Sequence, residues 1–487
     1  MNKSIGSALR GWLSPVVHLS NNWISLTGVV IVTASTVLWI FLLPTTLQGG
    51  VSNPYFGIVL YLVLPGVFVA GLLLIPLGIW LRKRRERAAG TAPSGFPPLD
   101  FSNPELRRLA AFVVLTTFVN VVIASQLTYS AVNYMDSVGF CGQTCHTVMQ
   151  PEFTAYQNSP HSRVECVQCH IGPGASWFVR SKLSGVGQVF AVTFNTYPRP
   201  IPTPVHNLRP ARETCETCHW PQVYGGDRLR ILNRFADDEK STPTKTVLLM
   251  HIGGGNGTPE GIHGKHMGPG IRIRYAASDE KRQTIPWVEY QDANGKATAY
   301  TASDAKDALP GNLPVREMDC MDCHNRPTHA YEMPETAVDL RLARGEISAA
   351  LPFAKKTSVE ILKAQYATRE DAAARIPAAF ETFYRAKYPQ VYASQRSAIE
   401  NSAEAVLAIY RRNVFPEMKV NWGTYPNDLG HTEFPGCFRC HDGSHVAPGG
   451  SSVTQDCNTC HNMLAMEEAS PKILADLGLE TPSAASK

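Results

Sequence analysis

The chain has 487 residues, enough for several domains, and a formal net charge of only +4 at pH 7. This near-neutral balance argues against nucleic-acid binding, which needs a marked excess of lysine and arginine on one face. The overall composition is that of an ordinary soluble protein, but the apolar residues are concentrated in the first quarter of the chain.

Three apolar segments without charged side chains lie in this first quarter. They cover residues 24–43, 56–80 and 109–127. Each is close to the ~20 residues that a helix needs to cross the hydrocarbon core of a bilayer. We therefore predict three transmembrane helices, and a buried core helix is the alternative for each of them.

The distribution of basic residues predicts how these helices are oriented. Arginine and lysine are concentrated between the second and third segments, at residues 82–87 and at Arg107 and Arg108, whereas residues 43–55 carry no charge. The positive-inside rule places the basic loop in the cytoplasm. The N-terminus is then cytoplasmic, and the chain after residue 130 lies on the periplasmic face of a bacterial inner membrane.

All twelve cysteines belong to six motifs in which a histidine directly follows the second cysteine. This is the attachment signature of c-type haem, in which two thiols bond to the vinyl groups and the histidine ligates the iron. Zinc knuckles or disulfides are the alternatives, but neither requires a histidine after every second cysteine. We predict six covalently bound haem c groups. The motifs are Cys141/Cys145/His146, Cys166/Cys169/His170, Cys215/Cys218/His219, Cys320/Cys323/His324, Cys437/Cys440/His441 and Cys457/Cys460/His461.

The haem domain is expected to be mainly α-helical, with stacked porphyrins supplying much of its interior. Residues 221–314 alternate apolar and polar positions between turn signals, including Asn294-Gly295, and are predicted to form a small antiparallel β insertion. Glycines at 253–257 are interpreted as a hairpin loop, since no helix is predicted after them for nucleotide binding. The predicted segments are a three-helix anchor (1–130), haems one to three (131–220), the insertion (221–314), haem four (315–333), a helical segment (334–430) and a C-terminal dihaem segment (431–487).

The stretch 141–170 resembles the NapC/NirT family, which includes the NrfH-type subunits. The resemblance rests on Cys-His-x-x-Met ending at Met149, on Pro151-Glu152, on Ser-Pro-His161 and on the second haem motif, and it covers residues 109–219 and 316–331. It implies a membrane-anchored multihaem cytochrome that oxidises quinol. Three features depart from the family pattern: the extra spans and haems, the β insertion, and the three residues between Cys141 and Cys145.

The resemblance also implies the second axial ligands of three haems. His161 corresponds to the family ligand of the haem at 320–324, and His329 to that of the haem at 215–219. Lys182 corresponds to the lysine that ligates the second haem in NrfH-type proteins, with a solvated lysine as the alternative.

Other histidines are assigned from their positions. His431 and His445 flank the fifth motif and are predicted to complete the fifth and sixth haems, in an order left open. His263 and His266 form a surplus cluster that replaces Lys182, lines a proton path or lies in a surface loop. Three histidines are given no ligand role: His18, His206 and His251.

The first haem is predicted to face the quinol. Met149 resembles the family methionine beside a weakly held iron site, and quinol oxidation releases two electrons and two protons. The family's proton-accepting carboxylate is missing, because residues 184–189 contain no acid. Glu152 or Asp136 is the predicted substitute, with an exposed surface acid as the alternative. The candidate catalytic residues are Met149, Glu152 and Lys182.

The leading hypothesis is therefore a membrane-bound hexahaem quinol dehydrogenase. It would oxidise quinol, expected to be menaquinol, and pass electrons to a periplasmic or outer-membrane cytochrome or reductase in anaerobic or extracellular respiration. One alternative is an electron-relay subunit whose quinone site lies in an integral-membrane partner. The other is a multihaem reductase of a small oxyanion such as nitrite.

Overall fold

The structure is a computed structural model, and the described part of the chain falls into two compact units, Met1–Thr144 and Cys145–Lys487. The described residues are 18–47, 63–91, 102, 104–144, 146–205, 208–221, 223, 225–258, 260–303 and 312–479.

The first unit contains three long helices at the places of the three predicted spans: α1 (Trp23–Leu47), α2 (Leu64–Ala88) and α3 (Pro104–Asp136). Residues 56–62 of the second predicted span lie outside the described residues. Within the described part of the chain, α2 is the helix that is long and apolar enough to cross a membrane, and α1 has a shorter apolar stretch, Trp23–Leu38. Three spans remain a prediction.

Small residues allow α1 and α2 to approach closely. A Cβ atom on Gly28 would lie 2.7 Å from the carbonyl oxygen of Gly71, and one on Gly78 would lie 2.4 Å from Ser25 Oγ. Ser25 Oγ also donates a hydrogen bond to the carbonyl oxygen of Ile75 at 2.9 Å. Such small-residue contacts, closed by a hydroxyl, are typical of helices that pack in a bilayer.

The second unit carries short helices around the haem motifs and longer ones in its cysteine-free segment. Its helices are α4 (His146–Gln157), α5 (Cys166–His170), α6 (Ala175–Thr193), α7 (Ala211–Cys215), α8 (Gly261–Met267), α9 (Pro334–Ala343), α10 (Ala354–Lys363), α11 (Arg369–Lys387), α12 (Pro389–Ser394), α13 (Arg396–Asn413) and α14 (Lys472–Asp476). Single helical turns at Cys320–Asp322, Gly436–Arg439 and Cys457–Thr459 carry the last three motifs.

Helices α9 to α13 enclose an apolar core made by side chains alone. Phe380, Tyr384 and Ile399 are fully buried in it. Lys355 Nζ lies 2.6 Å from Asp339 Oδ1 in a buried ion pair at its edge. The helical pattern predicted from residue 334 onward is thus observed, and no haem is needed to fill this part of the interior.

Two antiparallel sheets form most of the region between the third and fourth motifs. The three-stranded sheet has the order β1-β2-β8 and the five-stranded sheet has the order β6-β3-β4-β5-β7. The predicted hairpin turn is present, with Gly295 at φ +84° between β4 and β5. The strands are β1 (Asp227–Phe235), β2 (Pro243–His251), β3 (Arg272–Ala276), β4 (Trp287–Gln291), β5 (Ala297–Ala302), β6 (Val315–Glu317), β7 (His445–Val446) and β8 (His461–Glu468).

The insertion is not self-contained, contrary to the segment boundaries expected from the sequence. Strand β8 begins at a haem-motif histidine and pairs with β2, so that His461 stands opposite Met250. Strand β7 pairs with β5, with His445 opposite Ala302. The C-terminal dihaem segment therefore supplies an edge strand to each sheet, and the two segments fold as one.

Candidate haem centres

Five of the six motif histidines face a second histidine across a gap of about one metal ion. All five pairs lie in the second unit. The distances between ring centroids are 6.2 Å for His170 and His329, 6.0 Å for His219 and His161, 6.3 Å for His324 and His263, 5.9 Å for His441 and His266, and 6.2 Å for His461 and His431.

This spacing fits a haem iron between the two rings of each pair. A metal–imidazole bond is about 2 Å long, so two imidazoles on opposite sides of one ion have centroids about 6 Å apart once the ring radii are added. None of the described cysteines is in a disulfide. Among the described residues, no three His, Cys, Asp or Glu side chains converge as they would around zinc. The pairs therefore match axial ligation of haem.

Hydrogen bonds at Nδ1 orient four of these rings. A donated Nδ1–H leaves Nε2 as the lone-pair nitrogen for a metal, which is the usual arrangement of a ligating histidine. The acceptors are backbone carbonyl oxygens: Pro327 for His161 at 3.2 Å, Ile262 for His266 at 2.7 Å, Glu152 for His329 at 3.0 Å and Thr454 for His441 at 2.7 Å.

Burial lowers the pKa of six of the ten paired histidines, His329 among them. It lowers the pKa of His329 to about 4. A neutral imidazole is the form that binds a metal, so a lowered pKa favours metal binding at these six rings. Burial also lowers the pKa of His170, His263, His266, His324 and His461.

The structure places two predicted distal histidines opposite other motifs than the sequence suggests. The sequence predicts His329 at the haem of 215–219, but its ring faces His170. It predicts His161 at the haem of 320–324, but that ring faces His219. The reason is in the backbone: the carbonyl oxygen of Pro327 holds the His161 ring, and that of Glu152 holds the His329 ring.

Lys182 is not placed as a ligand of the second haem. The position opposite His170 is taken by His329. Lys182 lies on α6, and its Nζ is 4.9 Å from the ring centroid of Phe178, one turn earlier on the same helix. A cation above an aromatic face accounts for its position without a metal.

His445 is also not a ligand in this structure. It is buried, its Nδ1 lies 2.8 Å from Asp442 Oδ1, and its Nε2 lies 2.7 Å from the carbonyl oxygen of Ile285. With both ring nitrogens in hydrogen bonds, no lone pair is left for iron. His431 faces the sixth motif at His461, and the fifth motif is faced by His266 instead.

The remaining histidines have other surroundings. His251 has Nδ1 3.0 Å from Asp227 Oδ1, in agreement with a structural role. His18 lies in the first unit, with Nε2 3.4 Å from Glu86 Oε1. His206 lies outside the described residues.

Some attachment cysteines lie at the surface of the protein chain. Cys218 of the third motif is exposed, and its Sγ accepts a hydrogen bond from Thr217 Oγ1 at 3.8 Å. The reason is local: α7 ends at Cys215, and Cys218 lies in the turn that follows, at the protein surface. Haem attachment at Cys218 remains a prediction. The other exposed attachment cysteines are Cys169, Cys437 and Cys457.

Successive motifs are neighbours in space. Helix α5 packs against α7, and α7 packs against the turn that begins at Cys320. A hydrogen bond with the Cys320 thiol, together with burial, raises the pKa of Cys215. Burial and then the Cys437 thiol raise the pKa of Cys323 to about 12, and the same two causes raise that of Cys460. Motifs two to six therefore form one unbroken series in chain order.

Comparison with known proteins identifies the family. A profile described as "NapC/NirT cytochrome c family, N-terminal region" matches residues 104–200. The cytochrome c-type protein ImcH of Geobacter sulfurreducens is 41% identical over 452 residues, which cover 92% of this chain and 88% of ImcH. The chain belongs to the NapC/NirT cytochrome c family. It is a membrane-associated multihaem cytochrome of electron transport, as the resemblance implied.

A second relative matches a shorter part of this NapC/NirT cytochrome. The cytochrome c-type protein NrfH of Wolinella succinogenes is 30% identical over 110 residues, which cover 22% of this chain and 59% of NrfH. No solved structure matches the chain.

The first motif lies where the two units of this NapC/NirT cytochrome meet along the chain. Cys141 is on a π-helical turn, Phe140–Thr144, whereas Cys145 and the side chain of His146 lie outside the described residues. Met149 is half-buried on α4, which begins at His146. Asp136 is the last residue of α3. The quinol-facing roles of Met149 and Asp136 remain predictions.

Glu152 is a largely enclosed carboxylate with a side chain that is 15% exposed, not the exposed acid of the alternative interpretation. Its Oε2 lies 3.2 Å from His329 Nδ1 and 3.9 Å from Arg326 Nη1. Burial raises its pKa, and the positive charge of Arg326 opposes this only in part. Because α4 starts at His146 and reaches His329 through Glu152, a single helix connects the first motif with the second pair.

We expect the change Glu152→Gln to raise the reduction potential of the second haem of this NapC/NirT cytochrome. A carboxylate beside Nδ1 makes a ligating histidine a stronger electron donor, and its loss is expected to remove about 1.4 kcal/mol, or about 60 mV for one electron. Spectroelectrochemical titration of the full-length protein measures the shift. Glu332→Gln, which removes a carboxylate 3.8 Å from Arg412, is the matched control. An equal shift in both variants, or none in either, would contradict the prediction.

Proposed function

We propose that this NapC/NirT cytochrome holds six haem c groups and oxidises quinol, expected to be menaquinol, on the periplasmic face of the inner membrane. The observation that carries the proposal is the series of five histidine pairs whose motifs adjoin one another in chain order. Each haem, when bound, supplies a one-electron acceptor. A row of adjoining acceptors is what long-range electron transfer needs.

Three of the pairs are proposed as axial ligand sets on this ground. His170 and His329 would hold the second haem, His219 and His161 the third. His461 and His431 would hold the sixth. Bis-histidine ligation leaves no open coordination position, and this favours electron transfer over substrate chemistry at these irons.

Electrons are proposed to enter at the first motif. It follows α3 directly in the chain, and Met149 lies one helical turn after His146 on α4. Oxidation of one quinol delivers two electrons and releases two protons. Glu152 is proposed as a proton acceptor, because burial raises its pKa towards the range in which a carboxylate both takes up and releases a proton.

Electrons are proposed to leave from the C-terminal pair of motifs. The acceptor would be a periplasmic or outer-membrane cytochrome or reductase, which takes electrons at the fifth or sixth haem. A three-span anchor with the N-terminus inside would place the haem domain correctly for this exit. The basic residues 82–87 at the C-terminal end of α2 support that orientation.

The reductase alternative is not favoured by the geometry. A reductase of a small oxyanion needs an iron with one free axial position inside the soluble domain. Five motifs have a histidine on the opposite side instead, and the surroundings of the first lie partly outside the described residues. The other alternative, a relay subunit whose quinone site lies in a partner, is tested by mixing the purified chain with quinol.

The test is anaerobic stopped-flow mixing of the purified, oxidised full-length protein with a water-soluble menaquinol analogue, followed at the haem α band. Fast reduction of most haems by this chain alone is expected. Mass spectrometry of the denatured protein should show six attached haems. If the analogue reduces nothing while dithionite reduces every haem, the quinone site belongs to a partner and this chain is a relay.

A further inference from the structure

Helix α8, Gly261–Met267, brings two histidines to two different haem motifs. His263 and His266 are three residues apart, so both project from the same side of the helix. The ring centroid of His263 is 6.3 Å from that of His324, in the fourth motif. The ring centroid of His266 is 5.9 Å from that of His441, in the fifth motif. One short helix therefore faces two haem positions at once.

The nitrogens of these rings are arranged for metal binding. His266 donates its Nδ1–H to the carbonyl oxygen of Ile262 at 2.7 Å, and His441 does the same to Thr454 at 2.7 Å. This leaves Nε2 of each ring as the lone-pair nitrogen. Nδ1 of His263 is buried and has no hydrogen-bond partner among the described residues. A buried ring nitrogen without a hydrogen-bond partner is costly, unless it bonds to a group that is not part of the protein chain.

The glycine-rich stretch before α8 holds the helix in place. Gly254 N–H donates to the carbonyl oxygen of Glu260 at 3.0 Å, and His263 N–H donates to that of Ile252 at 2.8 Å. A Cβ atom on Gly253, whose φ is +63°, would lie 1.9 Å from the Glu260 carbonyl oxygen. Only glycine permits this backbone-to-backbone contact. The expectation that no helix follows these glycines is wrong, since α8 begins at Gly261 and is set by them.

We propose that α8 supplies the distal ligands of two haems, His263 to the haem on Cys320 and Cys323 and His266 to the haem on Cys437 and Cys440. The helix thereby joins the four-haem NapC/NirT unit to the C-terminal pair of haems. Because both histidines lie on a single helical turn, they would hold the fourth and fifth haems close together. The β insertion then contributes directly to electron transfer, because it supplies a ligand to each of two haems.

The proposal rests on haem attachment at the six motifs, which belongs to the proposed function, but not on quinol oxidation. Its readout is therefore the spin state of the haems and not the rate of reduction by quinol. A failed quinol test leaves the proposal standing if the spin changes occur. Loss of attached haem, measured by mass spectrometry of the denatured protein, would show instead that attachment at the six motifs has failed.

The experiment uses the full-length, haem-loaded protein in detergent and its electron paramagnetic resonance spectrum in the oxidised state. His263→Ala and His266→Ala are each expected to convert one low-spin haem of the six to high spin, and the double variant two. Added imidazole is expected to restore the low-spin signal. His251→Ala, which removes a histidine paired with Asp227, is the matched control and should leave the spectrum unchanged.

A second background tests which haem each histidine serves. In Cys437→Ala/Cys440→Ala the fifth haem is absent, so adding His266→Ala should produce no further high-spin signal, whereas adding His263→Ala should still do so. If neither single variant gains high-spin haem, α8 carries no ligand and the proposal is wrong. If His266→Ala still gains it without the fifth haem, the assignment of His266 is overturned.

Discussion

Reduction of the haems beyond the second motif is expected to slow by about 100-fold when His329 is replaced by methionine. Methionine in place of histidine raises the potential of a haem, and a rise of about 120 mV makes each onward one-electron transfer about 100-fold less favourable. His329 faces His170 at 6.2 Å, so the effect is expected at the second haem, between the first haem and the other four.

Stopped-flow mixing with the menaquinol analogue separates the reduction of the first two haems from the reduction of the remaining four. In His329→Met the first two haems should reduce fast and the remaining four slowly. His251→Met, which changes a histidine outside the five pairs, should retain the original kinetics. Uniform fast reduction of all haems in His329→Met would show that electrons bypass the second haem or that His329 is not its ligand.

Replacing Met149 with alanine is expected to slow reduction by quinol about tenfold or more. The methionine is half-buried on α4, one turn after the histidine of the first motif. Loss of about 1.4 kcal/mol of transition-state contact corresponds to a tenfold slower step. Since the change leaves the other haems untouched, dithionite should still reduce every haem to the same extent.

Met466→Ala provides the control for this second prediction. Met466 is exposed on β8, far along the chain from the first motif, and its loss should leave reduction by quinol unchanged. The initial rates of haem reduction in the two variants are compared over a range of menaquinol analogue concentrations. An unaltered rate in Met149→Ala would move the quinol site away from the first haem or into a partner protein.

A connection between the insertion and the C-terminal segment is the main architectural result. Strand β8 starts at His461 and completes the sheet of β1 and β2, and β7 at His445 extends the sheet of β3 to β6. Helix α8 lies in the same insertion and faces the fourth and fifth motifs. The β insertion and the C-terminal motifs are thus one connected structure.

The local chemistry of the haem sites is readable from the sequence. A thioether attachment site needs two cysteines and a histidine within a few adjoining residues, so the six motifs are visible without any tertiary information. How far each thiol is enclosed is not visible in this way, and Cys218 lies exposed in the turn after α7. Helices of the anchor and the Asn294-Gly295 hairpin are readable because they depend on short-range pattern. The family follows from the spacing between Met149, His161 and the second motif.

The distal partners of the haems are decided by the tertiary structure alone. Several histidines that face a motif lie far from it along the chain, as His266 does from His441, and no short-range pattern encodes which segments will meet. Sequence reasoning therefore assigns His161 and His329 each to the motif that follows the one its ring faces. It also takes His445 for a ligand, although Asp442 and Ile285 occupy both of its nitrogens.

Helix α8 shows most clearly which features the sequence predicts and which only the tertiary structure decides. Nothing local in the sequence indicates that His263 and His266 lie between two motifs, so they form a surplus cluster until the fold is known. Packing of the glycine-rich loop places the helix that carries them, and the two shared sheets bring the fourth and fifth motifs to it. Such packing depends on contacts between distant segments, and it is therefore a property of the folded chain.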